Sequence, residues 1–184
     1  MRDSKITYIF SFILGFIVVA MTICVIYIGS QNSFSNVKGI EGYIKSSFSN
    51  AELLQVKQQE GKVYVLFRNG ECYSLSIYKK NFLGKYVQII STYSNDSYIT
   101  DGFTIAEKDY EICDFVIAGV NKDNYISYIV LNIHNQDIKM IVDGETFLFV
   151  NKVYLNKANT MRNIEIRFFD KTNNDITNFI RKAD

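Results

Sequence analysis

The sequence predicts an α+β protein: an N-terminal transmembrane helix, a short amphipathic helix, and then a mainly antiparallel β domain of hairpins, meander-like or sandwich-like. Three observations predict it. Residues 6–28 run almost unbroken in apolar side chains, and no charge occurs from Ile6 to Val37. Between Ile40 and Phe48 the apolar residues recur at helical spacing, and beyond Gly61 the pattern changes to period two, punctuated by turn dipeptides. The divisions that follow are 1–5, a cytoplasmic N-terminus; 6–29, the transmembrane helix; 30–37, a juxtamembrane linker; and 38–184, an extracytoplasmic β-rich domain.

The apolar run sets the first element. At ~1.5 Å per residue a helix over 6–28 reaches roughly 34 Å, enough for a ~30 Å hydrocarbon core. Tyr8 and Tyr27 stand near its ends, where amphipathic rings settle at headgroups. A cleaved signal peptide needs a shorter apolar region and a small-x-small site, which Ile28-Gly29-Ser30 does not supply. Ile23 before Cys24 argues against a lipoprotein, and the residues after Gly15-Phe16 lack the glutamate of a pilin-like start. An uncleaved signal anchor is the expectation. Arg2 and Lys5 before the run favour a cytoplasmic N-terminus, a single pass through the cell membrane and an extracellular C-terminal domain.

Gly29 to Asn36 is rich in Ser and Asn and reads as linker. Ile40, Tyr43, Ile44, Ser47 and Phe48 then form one stripe of a helix. Leu53, Leu54 and Val56 fit either a further turn or the start of a strand. Lys62 to Arg68 and Glu71 to Tyr78 flank Asn69-Gly70, the strongest hairpin dipeptide because a type I′ turn needs two residues at positive φ. That turn pairs Arg68 with Glu71, Leu66 with Tyr73 and Tyr64 with Leu75. One face carries Tyr64, Leu66, Tyr73, Leu75 and Ile77; the other carries Val63, Val65 and Phe67 beside Cys72, Ser74 and Ser76. With apolar residues on both faces, the hairpin is expected to be covered twice, once by the helix.

Tyr86 to Thr92 reads as a third strand and Ser94 to Lys108 as an ill-defined polar stretch. Three more hairpins are expected: Ile112–Val120 with Tyr125–Ile133 around Asn121 to Asn124, Ile138–Val142 with Glu145–Val150 around Asp143-Gly144, and Ile164–Asp170 with Asp175–Ile180 around Lys171 to Asn174.

Composition excludes several classes. Of 184 residues 48% are hydrophobic, and 20 basic side chains stand against 19 acidic ones, so disorder and electrostatic nucleic-acid binding are both excluded. Setting Arg2, Asp3 and Lys5 aside, basic and acidic side chains balance. Three cysteines and one histidine are too few for a disulfide scaffold or a zinc ribbon. The heavy use of Ile, Asn, Lys, Tyr and Phe points to an AT-rich genome.

The order of elements, with Ala51-Glu52-Leu53-Leu54-Gln55-Val56, Tyr64-Val65-Leu66-Phe67, Tyr73-Ser74-Leu75, Lys80-Asn81-Phe82-Leu83-Gly84, Phe115-Val116-Ile117-Ala118-Gly119-Val120 and a final Phe169 to Ile176, resembles single-pass membrane-anchored proteins of low-GC Gram-positive bacteria that carry a small β-rich extracytoplasmic domain. The resemblance covers most of the chain beyond the apolar run. It implies an envelope location and no activity.

No catalytic constellation emerges. In sortases the histidine precedes a cysteine that ends a Thr-Leu-x-Thr-Cys strand; here His134 follows both Cys72 and Cys113. A papain-like order is met by Cys113 and His134, yet Cys113 opens an apolar strand where such nucleophiles start helices, and His134-Asn135-Gln136-Asp137 reads as an exposed turn. Glu107, Asp109, Glu111 and Asp114 cluster with the spacing of a solvated loop. Asn121 to Asn124 lacks the glycine and glutamate of a calcium loop. Tyr93, Tyr98, Tyr110, Tyr125 and Tyr128 are candidates for a sugar- or peptide-contacting surface, set against the ready acceptance of Tyr in strands. Cys72 and Cys113 are expected unpaired, because they lie on faces that need not meet.

The expectation for function is a non-enzymatic bitopic envelope protein with no cofactor, metal or catalytic residue. Its partners would be the lipid bilayer and another envelope protein, and not nucleic acid. The alternative is an extracytoplasmic domain that binds or senses a peptide or glycan; an envelope hydrolase comes last.

Overall fold

Buried residues divide into three clusters, and the clusters define the layering of a computed structural model that describes residues 12–22, 32–95, 98–106, 110–133, 136–156 and 164–182. For 99–106, 110–113, 154–156 and 181–182 the backbone alone is described.

Residues 12–22 form helix α1, with Phe12, Phe16 and Met21 exposed. The eleven described residues of this helix account for about 16 Å at ~1.5 Å each. Among the described residues no helix is long and apolar enough to cross a membrane. This corrects the expected transmembrane helix over 6–29, and with it the single-pass signal anchor and the cell-membrane localisation with an extracellular C-terminal domain. The flanks of the apolar run, including Cys24, lie outside the described residues.

Helix α2 spans Val37–Ser47 and is capped by Asn36, whose side chain accepts from the Gly39 amide at 2.9 Å. Its stripe Ile40 and Ile44 is buried against Val63, Val65 and Phe67. These belong to a first sheet in the order β1-β5-β4-β3-β2, built from β1 (Ser33–Phe34), β2 (Ala51–Gln59), β3 (Lys62–Asn69), β4 (Cys72–Lys80) and β5 (Tyr86–Ser94). The open boundary near Leu53 resolves as strand β2, and β1 takes two residues from the expected linker. The turn at Glu60-Gly61, with φ of 49° and 72°, has the two positive dihedrals of type I′.

The opposite face of this sheet, Tyr64, Leu66, Leu75 and Ile77, packs on Val116, Ala118, Leu148 and Val150 of a second sheet. That sheet has the order β10-β7-β6, from β6 (Tyr98–Ala106), β7 (Tyr110–Val120) and β10 (Thr146–Asn156). Its far face, with Phe115, Ile117, Phe147 and Val153, packs on a third sheet through Ile129, Leu131, Met140 and Phe168. The third sheet is β11-β8-β9, from β8 (Tyr128–Ile133), β9 (Gln136–Ile141) and β11 (Ile164–Phe169), joined by Ile180 of helix α3 (Thr177–Lys182). Four layers result: helix, sheet, sheet, sheet. The middle sheet is covered on both faces, which is why Phe115-Val116-Ile117-Ala118 is a continuous apolar run rather than an alternating one. All strand pairs are antiparallel.

Several expected pairings are corrected. The β3–β4 hairpin forms, but Asn69 pairs with Cys72, Leu66 with Leu75 and Tyr64 with Ile77. The turn is therefore Gly70-Glu71, with positive φ at Gly70 alone, as a type II′ turn requires of its first central residue. A two-residue slide conserves parity, so both faces keep their expected residues. Asn121 to Asn124 and Asp143-Gly144 do not close hairpins. β7 and β10 belong to the second sheet while β8 and β9 belong to the third, so both segments are crossovers between layers. The polar stretch from Ser94 contains β6, paired along its length with β7. Finally, 175–180 is no strand: Asp175 bridges Phe169 once, its carboxylate accepts from the Thr177 amide at 2.9 Å, and α3 begins.

Candidate functional site

The two crossovers lie side by side because one side chain holds both. Asn121, 2% exposed, donates from Nδ2 to the carbonyls of Ile126 (2.9 Å) and Gly144 (3.1 Å) and accepts from the Ile126 amide at 2.8 Å. Its own amide donates to Glu145 at 2.7 Å. Each polar atom of this buried amide is thereby satisfied, so Asn121 builds the site and offers nothing to a ligand. The short 3₁₀ turn Lys122–Asn124 that follows carries Asp123 and Asn124 at positive φ, which turns Tyr125 outward.

Against this clamp the β3–β4 hairpin, the end of β5 and α3 close a cleft of about 340 Å³. Its walls include Glu71 and Tyr73, Asn95, Lys122, Asp123, Tyr125 and Phe179. The Tyr125 and Phe179 rings meet edge to face at a centroid distance of 6.0 Å, yet both remain more than half exposed. Two large aromatic surfaces held in a fixed mutual angle and left open to solvent are a ready contact surface for a ligand. A second groove of about 280 Å³ lies on the other side of Asn121 and is lined by Ser127, Asp143 and Lys171 among others.

The five tyrosines singled out from the sequence do not share one surface. Tyr125 lines the cleft. Tyr98 packs on Phe168 at 4.9 Å between the second and third sheets. Tyr128 stacks on Phe169 at 4.8 Å with Lys139 Nζ 3.7 Å from its ring centre, and Tyr93 stands exposed on β5. The Tyr110 side chain lies outside the described residues. The sequence does not mark Tyr73 or Phe179 as contact residues: the pattern places Phe179 on a strand, whereas it lies on α3 and lines the cleft with Tyr73.

Cys72 is a free thiol at the head of β4, with Sγ 2.8 Å from Asn95 Oδ1. The Cys113 side chain and all of His134 lie outside the described residues, so the Cys113–His134 order acquires no geometry. β8 and β9 pair with Ile133 opposite Gln136. Of the acidic cluster, Asp114 is buried rather than solvated: it pairs with Lys62 and accepts from the Tyr64 hydroxyl at 2.9 Å. Period-two parity carried that signal, since it puts Lys62 on the inner face with Tyr64 and Leu66. Among the described residues no group of His, Cys, Asp and Glu is arranged to hold a metal ion. No family model, curated protein or solved structure matches the chain.

Proposed function

We propose that the β domain is a non-catalytic binding module that holds a peptide segment of a partner protein in the cleft beside Asn121. The observation that supports this reading is the exposed Tyr125–Phe179 pair in the wall of a cleft whose lining holds two carboxylates, Glu71 and Asp123, against one cation, Lys122. Ring faces and carboxylates together favour a ligand carrying a basic side chain, through cation–π contact and ion pairing.

Calorimetric titration of the protein with short peptides, basic and acidic in parallel, tests it. Basic peptides should bind, and Tyr125→Ala or Phe179→Ala should weaken binding at least tenfold, about 1.4 kcal/mol or more. Tyr93→Ala, at a ring still more exposed but absent from the cleft lining, should leave the affinity unchanged. Binding of glycans with no peptide response would replace the peptide reading, and equal losses in all three variants would move the contact away from the cleft.

A further inference from the structure

A nucleophile and an electrophile meet inside the interface between the first two sheets. Lys62 opens β3 and Asp114 lies on β7; their side chains are 4% and 5% exposed, and Nζ contacts Oδ2 directly. Tyr64, fully buried, donates its hydroxyl to the same oxygen at 2.9 Å. By contrast, Arg68–Glu52, Lys152–Glu60 and Arg167–Asp137 are ion pairs of the surface.

Both reacting residues are held by flanking strands, β3 between β2 and β4 and β7 between β6 and β10, so the pair is brought together without a search. Burying two opposite charges costs desolvation at each. Joining them as a neutral amide removes that cost, and a closed interface keeps water from reversing the reaction. Burial first, and Asp114 second, push the Tyr64 hydroxyl well above its ordinary range, so it keeps its proton and serves as a donor.

We propose that Lys62 and Asp114 condense into an intramolecular isopeptide bond that ties the first sheet covalently to the second. One proton passes from the Lys62 ammonium to Asp114 Oδ1, leaving an amine and a carboxylic acid. Nζ adds to Cγ and forms the C–N bond, while the Tyr64 hydroxyl supports the negative charge that gathers on Oδ2. A second proton moves from the nitrogen to Oδ1, the Cγ–Oδ1 bond breaks, and water leaves. The third ammonium proton stays on the amide nitrogen, so the step balances without an oxidant or any co-reactant.

The intact mass of the full-length protein, taken unfolded, tests the proposal. The expected mass is that of the sequence less one water. Tryptic digestion should show no cleavage after Lys62 and should yield the Lys62 and Asp114 peptides as one branched species. Lys62→Arg keeps the cation but removes the amine, and should restore the full mass. Tyr64→Phe should slow the loss of water in freshly made protein. A wild-type protein of full mass that is cut after Lys62 overturns the proposal and leaves an ion pair. Loss of water that persists in Lys62→Arg, or maps to a succinimide at Asp143-Gly144, overturns it as well.

Discussion

Asn69-Gly70 and Asp143-Gly144 make an instructive pair. In sequence they are the same signal, a turn dipeptide between two apolar strands. In the fold the first lies at a hairpin end and the second joins two layers. The difference is in their neighbours. Around Gly70 the flanking strands have each other as nearest partners, and Asn69 pairs with Cys72. Around Gly144 both flanks are captured elsewhere: the Val142 amide donates to Ser127 at 3.0 Å, and the Glu145 carbonyl accepts from Asn121 at 2.7 Å. A turn dipeptide thus permits reversal, and competing partners decide whether the reversal closes on itself.

The sharpest way to break this comparison is to remove the competitor. Asn121→Ala deletes three side-chain hydrogen bonds and strands buried backbone groups of both crossovers, at a cost of about 2–4 kcal/mol. Asn69→Ala, at the hairpin, should cost less than about 0.5 kcal/mol. Urea denaturation of the two variants checks the contrast, and equal losses would remove the distinction between local and captured turns.

A smaller effect tests whether the local turn is limited by its residues. Glu60 stands at φ 49° in the type I′ turn, a conformation that asparagine adopts far more readily. Glu60→Asn should stabilise the protein by about 0.5 kcal/mol, since the Lys152 pair it gives up is exposed and weak. A loss of stability in the same denaturation assay would show that ion pair to outweigh turn geometry.

The smallest effect concerns the last turn, where an expected hairpin is replaced by a loop wound on Asp170. Its carboxylate accepts from the Asn174 amide and side chain, then from Thr172, which hold its pKa down to about 2. Because the folded value lies below the unfolded one, the contribution is complete above pH about 4 and fades as pH falls toward about 2. In Asp170→Asn this portion of the acid dependence should disappear, as followed by fluorescence or NMR across that interval. An unchanged acid profile would assign the dependence to other carboxylates.

How much was legible follows from the same contrast. Helix α2, the strand pair β3–β4 and the two apolar faces of that pair are readable because periodicity reports burial directly. The register slid by two residues because Asn-Gly marks a turn without stating which residue is central. The partition into three sheets was not legible. Apolar strands such as β7 and β8 carry no mark of partner choice, and the alternation in β6 is broken by Asp101-Gly102, which reads as a turn although both residues pair within the ladder to β7. Of the cleft, the sequence marks Tyr125 as a contact candidate and Asn121 to Asn124 as a turn. Tyr73 and Phe179 reach it through packing of segments far apart in the chain, which no local pattern encodes.

The first sheet is made wholly from residues 33–94, and the strands that cover its inner face come later. During synthesis the face of Tyr64, Leu66, Leu75 and Ile77 is therefore complete before Val116 and Ala118 exist, and well before Leu148 and Val150. At ~5–20 residues added per second, the last of these arrive several seconds after Ile77. For that interval the nascent chain carries an uncovered greasy plane, which a chaperone must shield or the ribosome surface must tolerate. The layer order that gives the finished protein its buried middle sheet makes its birth the most aggregation-prone moment of its life.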